Sequence, residues 1–288
     1  MRLCNNCGDA FDNLEWRCPV CLHQPKRVNG QLAFSPEMAE ETEGFEAEFF
    51  SRLFELEGNN FWFRSRNRLL IWSLRRYFPE VQNFLEIGCG TGYVLSGIRQ
   101  ALPDLSLSGS EIYLAGLSFA AKRLPGVELF QMDARRVPFR NEFDVIGAFD
   151  VLEHINEDDE VLAQMYQATR AGGGIILTLP HHPWLWSRAD DYAHHVRRYT
   201  SREAIEKVTR AGFTVLRTTS FVSLLLPVMM VSRLGQKLRR EYDPVSEFKI
   251  NPFLNAAFEK TLDLERMMIR AGLSFHAGGS LLMVARRK

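Results

Sequence analysis

Short unbroken apolar runs alternate along this chain with longer stretches whose apolar positions recur every three or four residues. The short runs read as buried strands and the longer period as amphipathic helices. The first clear run is 84–87, followed by Gly88, Gly90 and Gly92 at every second position and a helical stretch opening at Tyr93. Further strands are expected over 105–111, 127–132, 143–149, 175–179, 213–220 and 280–285, with helices over 113–123, 156–169 and 201–211. A helix over 45–56 would set Phe45, Phe49, Leu53 and Leu56 on one face, and another should begin near Asn59. Strands alternating with helices imply an α/β fold, a seven-stranded, doubly wound, Rossmann-like sheet with right-handed crossovers. Ligands of such sheets sit beyond the strand C-termini.

The glycine turn at 88–92 lets backbone N–H groups and a helix N-terminus approach a ligand closely. The dinucleotide fingerprint G-x-G-x-x-G places its third glycine one residue later than this chain does. Glu86, two residues before Gly88, suits an ammonium group better than a pyrophosphate. This E-x-G-x-G-x-G run resembles motif I of the class I S-adenosylmethionine (SAM) dependent methyltransferases. The resemblance implies a cofactor site made first of Glu86, Gly88, Cys89, Gly90 and Gly92, with Cys89 also readable as a small packing residue. Glu111 with Ile112 would follow at the ribose, about 20 residues on, the spacing at which an acid meets two ribose hydroxyls. Asp133 with Ala134 would stand at the adenine amine, although an Asp starting a turn explains itself equally well. Asp150 and Val151 open the run D-V-L-E-H-I, which resembles the motif after the fourth strand in ubiquinone-type O-methyltransferases. There the segment lines the methionine end of SAM and faces the acceptor.

The F-W-F-R run at 61–64 resembles a subset of small bacterial members of that superfamily, in which the preceding helix covers the cofactor cleft. The plainer reading packs Phe61, Trp62 and Phe63 and leaves Arg64, Arg66 and Arg68 as a wet face, yet three adjacent aromatics cannot all point inward on one helix. The family pattern also places the seventh strand antiparallel beside the fifth, with a short loop where this chain has a helical insertion of about 221–277.

The acceptor side is expected in the loop after the fifth strand, which is longer than a connector needs to be. It holds four of the seven histidines, His181, His182, His194 and His195, with Trp184, Trp186, Tyr192 and Tyr199. Such a composition can hold an acceptor and take its proton. His154 and His195 are the candidate bases, and each is also readable as an ordinary hydrogen-bonded histidine. The run His195, Arg197, Tyr199, Thr200 is similar to an H-x-R-x-Y-T stretch of related small-molecule enzymes, while Thr200 has a structural role as a helix cap. The insertion opens with an apolar run interrupted by Pro227 and flanked by Arg233, Lys237, Arg239 and Arg240. It reads either as a cover over the acceptor pocket or, through 221–240, as a peripheral contact with a membrane. Both readings point to an apolar or lipid-linked small-molecule acceptor.

At the N-terminus, Cys4, Cys7, Cys18 and Cys21 form two C-x-x-C knuckles ten residues apart. Tetrahedral metal needs four converging thiolates, which two such turns supply. Residues 1–25 resemble zinc ribbons and the rubredoxin-type knuckle; zinc is the expected ion, and in a unit with almost no core the metal would supply the folding energy. Residues 26–44 read as linker, with an Asn29-Gly30 turn and Pro36, running into Glu37, Glu40, Glu41, Glu43, Glu46 and Glu48 as a solvated face. The main domain is then 45–288.

With 46% hydrophobic and 24% charged residues the chain is expected to fold rather than remain disordered. A net charge of +0, and only Arg2, Arg17, Lys26 and Arg27 around the cysteines, argue against nucleic acid. The function expected is methyl transfer from SAM to the acceptor described. One alternative is an RNA methyltransferase that holds RNA through the zinc module. Another is a non-catalytic SAM-binding scaffold whose ribbon recruits a protein partner. No apolar leader follows Met1, and no apolar run reaches the roughly 20 residues of a membrane span, so the cytoplasm is the expected compartment, with a peripheral seat at the membrane left open.

Overall fold

Nine strands, two more than expected, hydrogen-bond into one sheet. The computed structural model describes residues 1–13, 15–38, 47–237 and 250–288. Its N-terminal segment forms a small ladder, β1 (Arg2–Leu3) with β2 (Ala10–Phe11), then a hairpin, β3 (Lys26–Val28) with β4 (Gln31–Ala33). Helices α1 (Ala47–Leu56) and α2 (Phe61–Tyr77) lead into β5 (Asn83–Ile87), α3 (Tyr93–Ala101), β6 (Ser106–Glu111), α4 (Leu114–Arg123) and β7 (Glu128–Gln131). Then come β8 (Phe143–Phe149), α5 (Asp158–Ala168), β9 (Thr169–Pro180), the short α6 (Arg188–Tyr192), α7 (Ser201–Arg210) and β10 (Phe213–Phe221). Helices α8 (Leu226–Lys237) and α9 (Pro252–Arg270) precede the last strand, β11 (Ser280–Arg287).

The strand order is β10-β11-β9-β8-β5-β6-β7-β4-β3. Strands β4 to β9 run parallel, and β11 lies antiparallel between β9 and β10. From β5 the chain steps to β6 and β7 on one side, then returns to β8 and β9 on the other. The switch point between β5 and β8 is where such a sheet opens a ligand crevice. Parallel strands covered on both faces are typically rich in apolar residues; β6 is the exception, burying Ser108, Gly109 and Ser110. In β5, Leu85 and Ile87 pack in the layer with α5 and α7, while Phe84 packs in the opposite layer with α2, α3 and α4.

The segment read as linker is structured as far as Met38. Its turn at Asn29-Gly30, both at positive φ, folds β4 back so that Leu32 and Ala33 pair in parallel with Phe130 and Gln131. Three residues per strand are too few for a period to be legible. The cysteine module likewise has more core than expected, because it borrows one: Cys4, Phe11, Trp16 and Cys18 are buried in the same cluster as Phe130 and Phe139. Trp16 packs tilted against Phe34 at 4.6 Å and edge to face with Phe139 at 5.3 Å. Glu40, Glu41, Glu43, Phe45, Glu46, Arg239 and Arg240 lie outside the described residues, as do the side chains of Glu48 and Lys237.

Arg64 and Arg68 are not a wet face. They grip Glu259 of α9, and Arg68 also reaches Asp263 at 3.3 Å, so α2 and α9 are tied together. The turn into α8 is held from the same helix: buried Glu265 accepts the N–H groups of Ser223 at 2.7 Å and Leu224 at 2.8 Å, beside Val222 at φ 59°. Among the described residues no helix is long and apolar enough to cross a membrane.

Candidate active site

A cavity of about 1330 Å³ opens over the C-terminal ends of β5, β6, β7 and β8 and extends under α8 and the start of α9. Glu86, Gly88, Cys89, Gly90, Glu111, Ile112, Asp133, Ala134, Asp150, Val151, His154 and His195 all line it; Gly92 shapes the loop from behind. All three glycines have positive φ, but they differ in the room a side chain would find. A Cβ on Gly88 would lie 2.4 Å from Val151, and one on Gly92 would lie 2.8 Å from Leu124 of α4. A Cβ on Gly90 would meet nothing within 4 Å, so this residue keeps its open side toward the cavity. Cys89 turns inward: its sulphur lies 3.1 Å from where Gly109 would carry a Cβ, a packing position.

The acids at the strand ends differ in their partners. Glu86 is buried, and its Oε2 has no hydrogen bond among the described residues. Burial pushes its carboxyl well above the usual carboxylate range, opposed by the Arg66 charge. Glu111 accepts the N–H of Gly90 at 3.0 Å, of Ile112 at 2.8 Å and of Tyr113 at 3.2 Å, so it fixes the glycine loop against the tip of β6. Burial still raises its carboxyl, and those N–H groups offset part of the rise. Asp133 both starts a turn, accepting the Arg135 N–H at 2.9 Å, and pairs with the Arg135 guanidinium at 3.0 Å. Arg135 in turn reaches Glu157 at 3.0 Å. Asp150, at φ 59°, is gripped by Arg66, which lies 4.4 Å over the Trp62 ring.

Two groups at the site have no clear sequence signal. Glu57, buried at the end of α1, accepts from Thr91 Oγ1 at 2.6 Å and from Arg123 at 2.8 Å, clamping the glycine loop from above. Arg66 carries a faint signal, its four-residue spacing from Trp62, which sets the two on one face of α2.

Beyond Asp150, the side chains of Glu153, His154 and His195 place ligand atoms within 4.8 Å of one another. Glu153 is fully buried with neither oxygen hydrogen-bonded among the described residues; burial, then the nearby Asp150 charge, drives its carboxyl well up. His154 meets His195 edge to face at 4.8 Å, and burial and the His195 charge lower it to about 3, so it stays neutral. His195 donates from Nδ1 to Asp190 at 2.9 Å, leaving Nε2 toward the cavity, 3.9 Å from Glu153. Burial alone would raise Asp190, but the bond from His195 and the Arg198 charge hold it at about 2. Asp190 was missed in the sequence, although Ser187-x-x-Asp190 is a capping box and the structure closes it. His181 stands apart, buried between Ser201 Oγ at 3.0 Å and Ser220 Oγ at 2.8 Å. Trp184 and Trp186 face solvent, and Tyr199 is a buried donor to Asp158 at 2.7 Å.

The four cysteine sulphurs lie within 4.8 Å of one another, with Cys4–Cys21 at 3.5 Å and Cys7–Cys18 at 3.6 Å. A zinc tetrathiolate with bonds of about 2.3 Å has edges of about 3.8 Å, so the donor set fits that ion.

A family described as "Methyltransferase domain" matches residues 54–218, more than half of the chain. A phthiotriol/phenolphthiotriol dimycocerosates methyltransferase of Mycobacterium leprae is 34% identical over 95 residues, 32% of this chain and 35% of the relative. A demethylmenaquinone methyltransferase of Renibacterium salmoninarum is 27% identical over 118 residues, 41% of this chain and 49% of that one. The matched stretches thus span less than half of either relative. Among solved structures, phosphoethanolamine N-methyltransferase 2 of Haemonchus contortus in complex with S-adenosyl-L-methionine superposes with a TM-score of 0.58 at 18% identity, covering 87% of this chain and 59% of that one.

Proposed function

The chain belongs to the methyltransferase domain family, and on that premise we propose that it transfers the methyl group of SAM to a small, apolar or lipid-linked acceptor. The observation that carries this reading is the cavity. Its 1330 Å³ exceeds the roughly 300–1,000 Å³ of a typical pocket for one small ligand. It is acidic over the strand ends and apolar under α8 and α9, where Leu225, Met229, Leu254 and Phe258 line it.

Bound SAM supplies a methyl already activated on a sulfonium, which leaves the chain to align the acceptor, exclude water and remove one proton. Glu86 is suited to the ammonium group, whose charge would restore the carboxylate that burial disfavours. Arg66 stands on the same side for a carboxylate. Glu111, holding the loop by three N–H groups, keeps lone pairs for ribose hydroxyls. Asp133 takes the adenine edge, and Gly90 gives the open surface between them. His195 is the better placed of the two histidines to accept a proton, at Nε2, because Asp190 fixes the tautomer and stabilises the cation formed. Cys4, Cys7, Cys18 and Cys21 hold a structural zinc.

The helices that roof the acceptor end carry Val231, at the cavity's edge, and Phe253, 71% and 79% exposed. Such a rim suits a cytoplasmic protein that leans on a membrane to collect a lipid-linked acceptor; cosedimentation with anionic vesicles tests this, and no retention at low salt would remove it. The central test is calorimetric titration with S-adenosylhomocysteine (SAH) of the zinc-replete protein and of Glu111→Ala and Asp133→Ala variants. Micromolar binding lost in both variants is expected, followed by label transfer from radioactive SAM into a lipid extract. Absence of SAH binding by folded protein would end the methyltransferase reading.

A further inference from the structure

The cavity has a wall that none of the three strand-end acids accounts for. Beyond β4 the chain runs from Phe34 to Met38 across the end of the cavity where Asp133 lies, and Met38 lines it. Gln131, the last residue of β7 and fully buried, fastens this strap. Its side chain accepts the Ser35 N–H at 3.1 Å and donates to the Ser35 carbonyl at 2.8 Å and to the Ile112 carbonyl at 3.1 Å. One amide therefore ties the strap to the loop beside Glu111. At its far end, Met38 meets Arg135, the partner of Asp133, with 3.8 Å between sulphur and guanidinium.

The strap follows the β3–β4 hairpin and packs back against the cysteine module. Asn5, in the first knuckle, donates to the Phe34 carbonyl at 3.4 Å, and Trp16, between the knuckles, packs on Phe34. Leu3 donates to the Pro138 carbonyl at 2.9 Å, which seats the module on the turn after Asp133. Among the described residues, the four sulphurs, the strap and the end of β7 thus form one contiguous packed body.

We propose that residues 34–38 are part of the cofactor site, closing its adenine end, and that the metal held by Cys4, Cys7, Cys18 and Cys21 sets cofactor affinity by fixing that strap. This rests on the SAM reading above. It gives the module a role inside the domain, distinct from docking RNA or a protein partner. Removing the ion frees the knuckles, loosens the Trp16–Phe34 contact and leaves Gln131 to hold the strap alone, so ligand binding must then supply the cost of ordering it.

The experiment uses the full chain with one zinc bound, verified by metal analysis, and reads SAH binding by calorimetry with circular dichroism as a control for folding. Gln131→Leu and Met38→Ala, both retaining zinc, are expected to weaken SAH about tenfold with the far-ultraviolet spectrum unchanged. Chelation that removes zinc while the spectrum is preserved is expected to weaken SAH by at least as much, and returning zinc to restore it. Unchanged SAH affinity in the zinc-depleted, folded protein would overturn the proposal. Should depletion unfold the chain, the two variants decide alone, and wild-type affinity in both would overturn it. A zinc-replete wild-type protein that binds no SAH would instead sink the cofactor reading itself.

Discussion

Asp190 receives the Nδ1–H of His195 at 2.9 Å while it is itself held by Arg198 at 2.7 Å and by the Ser187 N–H at 2.8 Å. The histidine is thereby fixed in one orientation with one nitrogen free for work. His195→Asn is expected to lower methyl transfer about 10²–10⁴-fold, the usual worth of a positioned base, and to leave SAH binding alone. Single-turnover transfer from labelled SAM, read beside calorimetry, makes the comparison. Equal turnover in the variant would place the proton acceptor elsewhere.

Glu86 sets function against stability. Its folded-state carboxyl is raised by burial, so its contribution is full below the ordinary carboxylate range and is lost as pH rises toward neutrality. Glu86→Gln should therefore raise the melting temperature of the unliganded protein near pH 7, while weakening SAH by about tenfold. Melting curves with and without SAH test both signs at once. A lower unliganded melting temperature would contradict the argument.

The glycines separate strain from occupancy. Gly88→Ala must displace Val151 in addition to holding φ +69°, and should cost about 2–5 kcal/mol in urea unfolding. Gly90→Ala has room for its methyl and only φ +52° to bear, so about 1–2 kcal/mol is expected. That methyl occupies the open side of the loop, so Gly90→Ala should lose SAH binding out of proportion to its stability. Parallel losses in the two variants would mean the loop's open side faces no ligand.

His154 gives the acid limb of stability. Its folded pKa is lowered from 6.5 to about 3, chiefly by burial. Below about pH 6.5 the unfolded chain takes up a proton there that the native state refuses, so stability falls by up to about 1.4 kcal/mol per pH unit from this group, until about pH 3. His154→Gln should flatten the difference in urea midpoint between about pH 7 and pH 5. An unaltered slope would show that the ring is solvated in the native state.

The parallel core was legible because β5, β8 and the second half of β9 are largely apolar runs buried on both faces, and because a glycine loop needs positive φ where glycines stand; β6 carries one apolar side chain, Leu107, and buries serines and a glycine instead. The positions of Glu86, Glu111 and Asp133 at the cavity were legible because each lies in or just after the end of a strand. What stayed hidden was the partner of each. Glu57 reaches Thr91 across 34 residues and Arg123 across 66, and Gln131 reaches Ser35 across 96; nothing local marks a buried amide as a clamp. Arg66 looked like one of three wet arginines until α9 covered its neighbours and Asp150 claimed it. The hairpin β3–β4 was hidden by brevity: only pairing with β7 makes three residues a strand.

That pairing also orders events during synthesis. Ser35 is made 96 residues before Gln131, so at about 5–20 residues per second the knuckles and the hairpin wait about 5–20 s for the strand they lean on. For that interval Trp16 and Phe34 have no seat, and the cysteines must stay reduced and in register. A segment made early is thus placed late, and a metal bound by its four cysteines would hold it in register until β7 arrives.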